Sequence, residues 1–468
     1  MKKLLSSFVI GIIAGGAILF FVNQKWPLND LFNKKTGSDT NIELIGNSKF
    51  SSVTSKLEKG GDLYFYLNTS KILKSIGNSL KTLKETINSS ENIPELKKKD
   101  SDKWFSFFSG ILNESGLMEI SAIGVSSKEY EEGITRSKFI VQHDKGKGNG
   151  MIWNSVSQSP GDLRMIDILP KNTVLSSFSD FQYFKVWSWI KSIAERSGDD
   201  KIRFSFASME KELNNIGVDL SELLRSINGN SGIILTFDEN SKKKFKVAGK
   251  EIEFPDPALA LVIETENDSI FKLLASKIPG VKIEEKEKKK IIKIKAPVMP
   301  FSFSPQIIQT GKMLIIASNS TIGDQILKSN KKKGLRNREE FIKLSKEMPL
   351  SGNGFTFISS SLFKEITKIR NKVDPTVNGS QNKGAELLKK LGLTFDNLSM
   401  FRVTSQTAEG YAITTNTTIR TELLMMIPVA AVGGIIAAVI IPQIIKKKPQ
   451  RAIPKERSSN QPSQGLWP

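Results

Sequence analysis

Apolar and polar positions recur along this chain in one arrangement. Leu63-Tyr64-Phe65-Tyr66-Leu67 has the composition of a strand, and Asn68-Thr69-Ser70 then offers a helix N-cap. Ile72, Leu73, Ile76, Leu80 and Leu83 follow at helical spacing. The design returns in Thr173-Val174-Leu175, Ser179-Asp180 and the stripe Phe184, Trp187, Ile190 and Ile193. It returns again in Phe355-Thr356-Phe357-Ile358, Ser359-Ser360-Ser361 and the stripe Phe363, Ile366 and Ile369. Gly116, Gly217 and Gly392 stand at the expected helix ends, where a left-handed residue is wanted. Strands are predicted next at Ala122 to Ser126 with Ser137 to Gln142, at Gly232 to Phe237, and at Leu398 to Thr404 with Gly410 to Thr415. Ser121 to Ser127 aligns with Ser399 to Ser405. We read an internal repeat of strand, helix, helix and hairpin.

A different pattern separates the second and third copies. Ala258 to Ile263 reads as a buried strand, and Asn267-Asp268 caps a helix bearing Ile270, Leu273, Leu274 and Ile278. Val281 to Glu285 and Ile291 to Lys295 form a predicted hairpin, and Lys312 to Ala317 another strand. Ser318-Asn319-Ser320 then caps a helix through Ile322, Ile326 and Leu327, and Glu339 to Met348 adds a short one. The order is β-α-β-β-β-α. The expected divisions are a linker at 27–59, repeat units at 60–168, 169–257 and 349–419, and a middle unit at 258–348. The fold class is α+β, with antiparallel sheets and packed helices.

Two longer apolar runs flank this region, Leu4 to Val22 and Leu423 to Ile445. At about 1.5 Å per residue each can span hydrocarbon, which predicts N- and C-terminal transmembrane helices within 1–26 and 420–445. Phe20-Phe21-Val22 offers no small-x-small cleavage site, so the first run is expected to be an uncleaved anchor. Lys2, Lys3 and the basic tail at 446–468, with Lys446, Lys447, Lys448, Arg451, Lys455 and Arg457, place both termini in the cytoplasm. The expected location is the bacterial cytoplasmic (inner) membrane, with the main domain extracytoplasmic. Gly11 with Gly15, and Gly433 with Ala437, have the spacing that lets two spans pack closely.

Composition narrows the chemistry. The formal net charge is +20, which favours anionic partners, whether lipid headgroups, cell-wall polyanions or nucleic acid; the expected partners are membrane lipids, anionic lipid headgroups or other envelope proteins. Four lysine runs, Lys97 to Lys99, Lys242 to Lys244, Lys286 to Lys290 and Lys331 to Lys333, are predicted in turns. They lack the interleaved aromatic or arginine residues of nucleic-acid binders, so no nucleic-acid partner is expected. The chain has no cysteine and a single histidine, His143, which excludes thiolate and multi-histidine metal sites. No cofactor is expected.

The run Lys312 to Ser318, its capped helix, Glu340-Phe341, Met348-Pro349 and the strand beyond resemble an uncharacterised bacterial family of membrane-anchored envelope proteins. The likeness covers roughly Leu169 to Thr415. It implies an extracytoplasmic α+β domain with duplicated halves and brings no catalytic residues. Thr421 to Pro428 and Gly433 to Gln443 are also similar to the N-terminal helix of a type IV pilin. Here that pattern lies near the other end of the chain, and Arg420 stands where a processing site would.

No Walker loop, Gly-x-Ser-x-Gly elbow or His-Glu-x-x-His occurs. Ser-x-x-Lys occurs at Ser188/Lys191, Ser208/Lys211 and Ser361/Lys364, a frequency expected by chance in a chain this rich in both residues. His143 reads as an exposed turn residue, and Gly146 to Gly150 as a glycine turn with no helix behind it. The leading expectation is a non-enzymatic binding or scaffolding module. The alternative is a carrier or sensor of lipid or another apolar ligand, its cavity lined by Phe178, Phe181, Phe184, Trp187 and Trp189. An envelope hydrolase is the third reading. A closed apolar cavity favours the carrier, an exposed apolar patch the scaffold, and a cleft of clustered carboxylates the enzyme.

Overall fold

The repeated pattern resolves into strands that enter one sheet. A computed structural model describes residues 48–419, apart from 90–94, 248, 279, 296–300 and 374–396. The two apolar runs, the basic tail, and Gly11, Gly15, Gly433 and Ala437 lie outside the described residues. Within the described residues no helix is long and apolar enough to cross a membrane.

Helix α1 (Ser48–Thr54) precedes the first copy, which runs β1 (Leu63–Asn68), α2 (Ser70–Ser89), α3 (Glu95–Ser115) and the hairpin β2 (Ile120–Glu131) and β3 (Ile134–His143). Short pieces α4 (Met151–Asn154) and β4 (Gly161–Asp162) lead to the second copy. This comprises β5 (Thr173–Ser179), α5 (Tyr183–Arg196), α6 (Asp200–Asn215), α7 (Leu220–Ser226) and the long hairpin β6 (Ile227–Val247) and β7 (Lys250–Thr265). The middle segment holds α8 (Ser269–Lys277), a meander of β8 (Ile283–Lys286), β9 (Lys289–Lys293), β10 (Gln306–Thr310) and β11 (Met313–Ala317), then α9 (Ser320–Lys328) and α10 (Glu339–Ser345). After β12 (Ser351–Gly352) come β13 (Gly354–Ile358), α11 (Ser360–Val373), β14 (Met400–Thr407) and β15 (Gly410–Thr417).

Thirteen strands pair in the order β1-β2-β3-β15-β14-β13-β5-β6-β7-β11-β10-β9-β8, with antiparallel neighbours throughout; β4 and β12 form a separate ribbon. Each copy is thus a three-stranded meander, and the copies meet through like strands. The third strands β3 and β15 pair with Lys138 opposite Thr414, and the first strands β13 and β5 with Thr356 opposite Ser177.

Side chains alternate across the sheet and build a core on each face. One face carries Phe178, Phe355, Phe357, Phe401, Val403, Ile234, Val262 and Ile315 under α9 and α10. Phe341 of α10 meets Phe357 and Phe401 edge-on at 5.7 and 5.0 Å. On the same face Val53 of α1 and Leu57, just beyond its end, pack on Ala122 and Ile140. Gly124 permits this approach, because a Cβ there would lie 2.4 Å from Val53 Cγ1. The other face packs Ile292, Ile307 and Leu314 against Ile270 and Phe271 of α8.

Several expectations change. The strand expected to begin at 258 starts at Lys250, so the division at 257/258 falls inside β7, whose upstream half pairs with β6 across Lys242 to Val247. Strand β10 was not foreseen; Gln306 and Gln309 flank its isoleucines, yet both glutamines are buried. The linker expected at 27–59 includes α1, whose Val53 is buried over the apolar patch of Ala122 and Ile140. Lys97 to Lys99 lie in α3 and Lys242 to Lys244 in β6; turns hold only Lys331 to Lys333 and the middle of Lys286 to Lys290. The alignment of Ser121–Ser127 on Ser399–Ser405 is one residue out of phase. Gly124 faces α1 on the side of Val403, so Val125 and Val403 point to opposite faces.

Candidate functional site

The five aromatic residues expected to line a cavity do not surround one space. Phe178 enters the α9 and α10 face of the sheet, stacked on Phe355 at 5.4 Å. Phe184 and Trp187 belong to α5, on the opposite face, where Tyr183 reaches Ser231 at 2.7 Å. Arg225 lies 4.1 Å over the Phe184 ring, Trp187 meets Phe206 at 5.5 Å, and Phe181 meets Tyr183 edge-on at 5.0 Å. Trp189 is half-buried in the same helix. Two open cavities are lined by other residues. One, of about 560 Å³, lies against Phe204 and Ala207 on the outer side of α6. The other, of about 630 Å³, lies between Lys171, Arg338, Glu340 and Ser399. There Glu340 is already engaged by Ser359 Oγ, Ser360 N–H and Arg338 at 2.7–2.8 Å.

The sequence motifs are spent on structure. His143 is buried at the end of β3 rather than exposed, its ring edge-on to Trp153 at 4.8 Å. Trp153 stacks on Tyr411 at 5.6 Å, and burial raises the pKa of the Tyr411 hydroxyl. A helix does follow the glycine turn, the four residues of α4, contrary to expectation. The turn's amides are occupied, because Glu119 accepts from Gly148 N–H at 3.1 Å and Gly150 N–H at 3.2 Å. Lys191 donates to both oxygens of Glu210 at 2.8 Å, so it is committed to an ion pair and not to Ser188. Among the described residues there is no cluster of three or more metal-ligating side chains.

Two features were not singled out by sequence. The first is Arg402, 8% exposed, which points away from the core that Phe401 and Val403 enter. A row of hydroxyls crosses the sheet beside it: Ser127, Ser137, Thr415, Arg402, Thr356 and Ser177 are successive cross-strand partners. Arg402 Nε donates to Thr415 Oγ1 at 3.2 Å, and Ser177 meets Thr356 at 3.1 Å. Among the described residues no carboxylate pairs with Arg402, and burial lowers its pKa. The signal was an arginine inside an otherwise apolar and hydroxylic strand.

The second is the sheet's margin. Among the described residues β1 pairs on one side only, and Tyr64 and Phe65 are 42% and 45% exposed. Leu63 to Asn68 carries no charge, whereas the opposite margin, β8, reads Ile-Glu-Glu-Lys and is exposed along its whole length. Charges guard an edge strand against further pairing, and β1 lacks them. An uncharged aromatic strand at the start of a repeat was the available signal.

No protein-family model matches this chain, and no curated protein or solved structure matches it either.

Proposed function

We propose that the chain is a non-enzymatic envelope module, held in the bacterial cytoplasmic membrane by its two apolar runs. In this reading its extracytoplasmic sheet binds other protein chains by strand addition at β1. One observation carries the reading: an uncharged edge strand that leaves Tyr64 and Phe65 open to solvent while the opposite margin is charged. Strand addition draws affinity from main-chain hydrogen bonds and selectivity from alternate side chains. Two membrane tethers suit a stationary scaffold. The apolar-ligand reading draws less support, since the expected aromatic lining is divided between two faces of the sheet.

A photoreactive residue replacing Phe65 in the full chain, illuminated in its native membrane, should give protein adducts. The same residue replacing Glu285 on β8 should give none. Equal yields at the two margins, or none at Phe65, would overturn the proposal.

A further inference from the structure

The molecule contains its own example of how a first strand is met. Strands β1, β5 and β13 each open a copy and give way to helix at a polar residue, Asn68, Asp180 and Ser359. Asn68 Oδ1 accepts from Ser70 N–H, and Ser359 Oγ from Ser361 N–H, so the two turns are built alike. Counted back from those polar residues, Phe65, Ser177 and Thr356 hold the same place. Ser177 and Thr356 stand directly opposite one another in the β5–β13 pair. The junction therefore has a local two-fold axis through equivalent residues, with Phe178 stacked on Phe355 beside it at 5.4 Å. Strand β1 is the remaining first strand, and it lacks such a partner among the described residues.

We propose that a second copy of the chain supplies that partner, pairing β1 with β1 antiparallel and with Phe65 opposite Phe65. This rests on the reading of β1 as a strand-addition edge. The same register sets Tyr64 against Tyr66 of the second copy, the places that Phe355 and Phe178 hold in the internal junction. Strand β1 brings no like charges into opposition. Pairing through one self-complementary strand closes after two copies, since β1 is consumed on both, and the charged β8 margins remain outermost.

The chain has no cysteine, so single substitutions report cleanly. Phe65→Cys, in the full chain in its own membrane under mild oxidation, should give a disulfide-linked dimer. Tyr64→Cys and Tyr66→Cys should each give several-fold less, because each faces the other residue and not itself. Spin labels at Asp62 and at Asn68 lie three residues either side of the axis, so both should report a separation of about 20 Å at ~3.4 Å per residue. Unequal distances would overturn the register. Phe65→Lys should move the detergent-solubilised chain from dimer to monomer by light scattering, while Phe65→Tyr should not. A monomeric wild-type chain with no Phe65→Cys dimer would overturn the second copy as partner. Photo-adducts at Phe65 to a different protein would then leave the scaffold reading standing, and their absence would end both.

Discussion

Two arginines buried in the same sheet should respond oppositely to the same substitution. Arg136, 7% exposed, donates from Nε to Asn416 Oδ1 at 3.0 Å and from Nη2 to the Lys346 carbonyl at 2.8 Å. Its guanidinium lies 3.5 Å over the Tyr130 ring, and its pair with the exposed Glu347, at 3.8 Å, adds little. Arg136→Met leaves one buried acceptor, Asn416 Oδ1, without a partner at about 1–3 kcal/mol, while the Lys346 carbonyl keeps Asn416 Nδ2 at 3.3 Å, and it loses a cation–π contact of about 0.5–1 kcal/mol. The sum is about 1.5–4 kcal/mol of destabilisation. Arg402 gives up only one hydrogen bond, to the neutral hydroxyl of Thr415. That loss of about 1.5–3 kcal/mol is offset by removing a buried charge whose desolvation costs several kcal/mol. Arg402→Met should therefore be neutral or stabilising by up to about 3 kcal/mol. Urea unfolding of the full chain in detergent, followed by tryptophan fluorescence, measures both. A loss above about 2 kcal/mol for Arg402→Met would refute the reasoning and show that a bound anion or counter-charge holds the guanidinium.

Three further outcomes are expected. Burial raises the Asp180 carboxyl pKa, so the folded chain holds that proton more tightly than the unfolded chain and its charge costs stability at neutral pH. Asp180→Asn should accordingly stabilise at pH 7, and the gain should disappear as pH falls through the raised value towards the ordinary carboxylate range; an equal gain at pH 4 would contradict this. Gly124→Ala should cost about 1–3 kcal/mol by pressing on Val53, and adding Val53→Ala should recover part of it, read as a double-mutant cycle. Lys145→Cys should react with a membrane-impermeant maleimide in intact spheroplasts, and Ser459→Cys only after permeabilisation; the reverse pattern would invert the expected topology.

What the sequence made legible was local. Asn319 caps α9 through Ile322 N–H at 3.0 Å, as its position predicts. Gly116 and Gly217 adopt φ of 87° and 70° at helix ends, the left-handed backbone that glycine permits. Pairing was not legible, because it joins residues far apart in the chain: Lys138 meets Thr414 and Ser177 meets Thr356. A one-residue phase error survived in the repeat because Val125 and Val403 look alike as letters and differ only in the face they serve. The same limit hid the face of Phe178, which follows from its partner Phe355 and from no neighbour in sequence. Arg402 showed as a polar interruption in a strand, and only the register reveals hydroxyls on both sides of it.

The junction of β3 with β15 also dictates an order of assembly. Strand β15 ends at Thr417 and lies between β3 and β14, so part of the middle of the sheet comes from the last described strand to leave the ribosome. Until then β3 must wait with an unpaired margin, although its hairpin partner β2 was made long before. Contacts this distant in sequence make for slow closure and a long-lived sticky intermediate. Deleting Gly410 to Thr417 alone would remove a single short strand from the list of elements and yet cut the sheet in two.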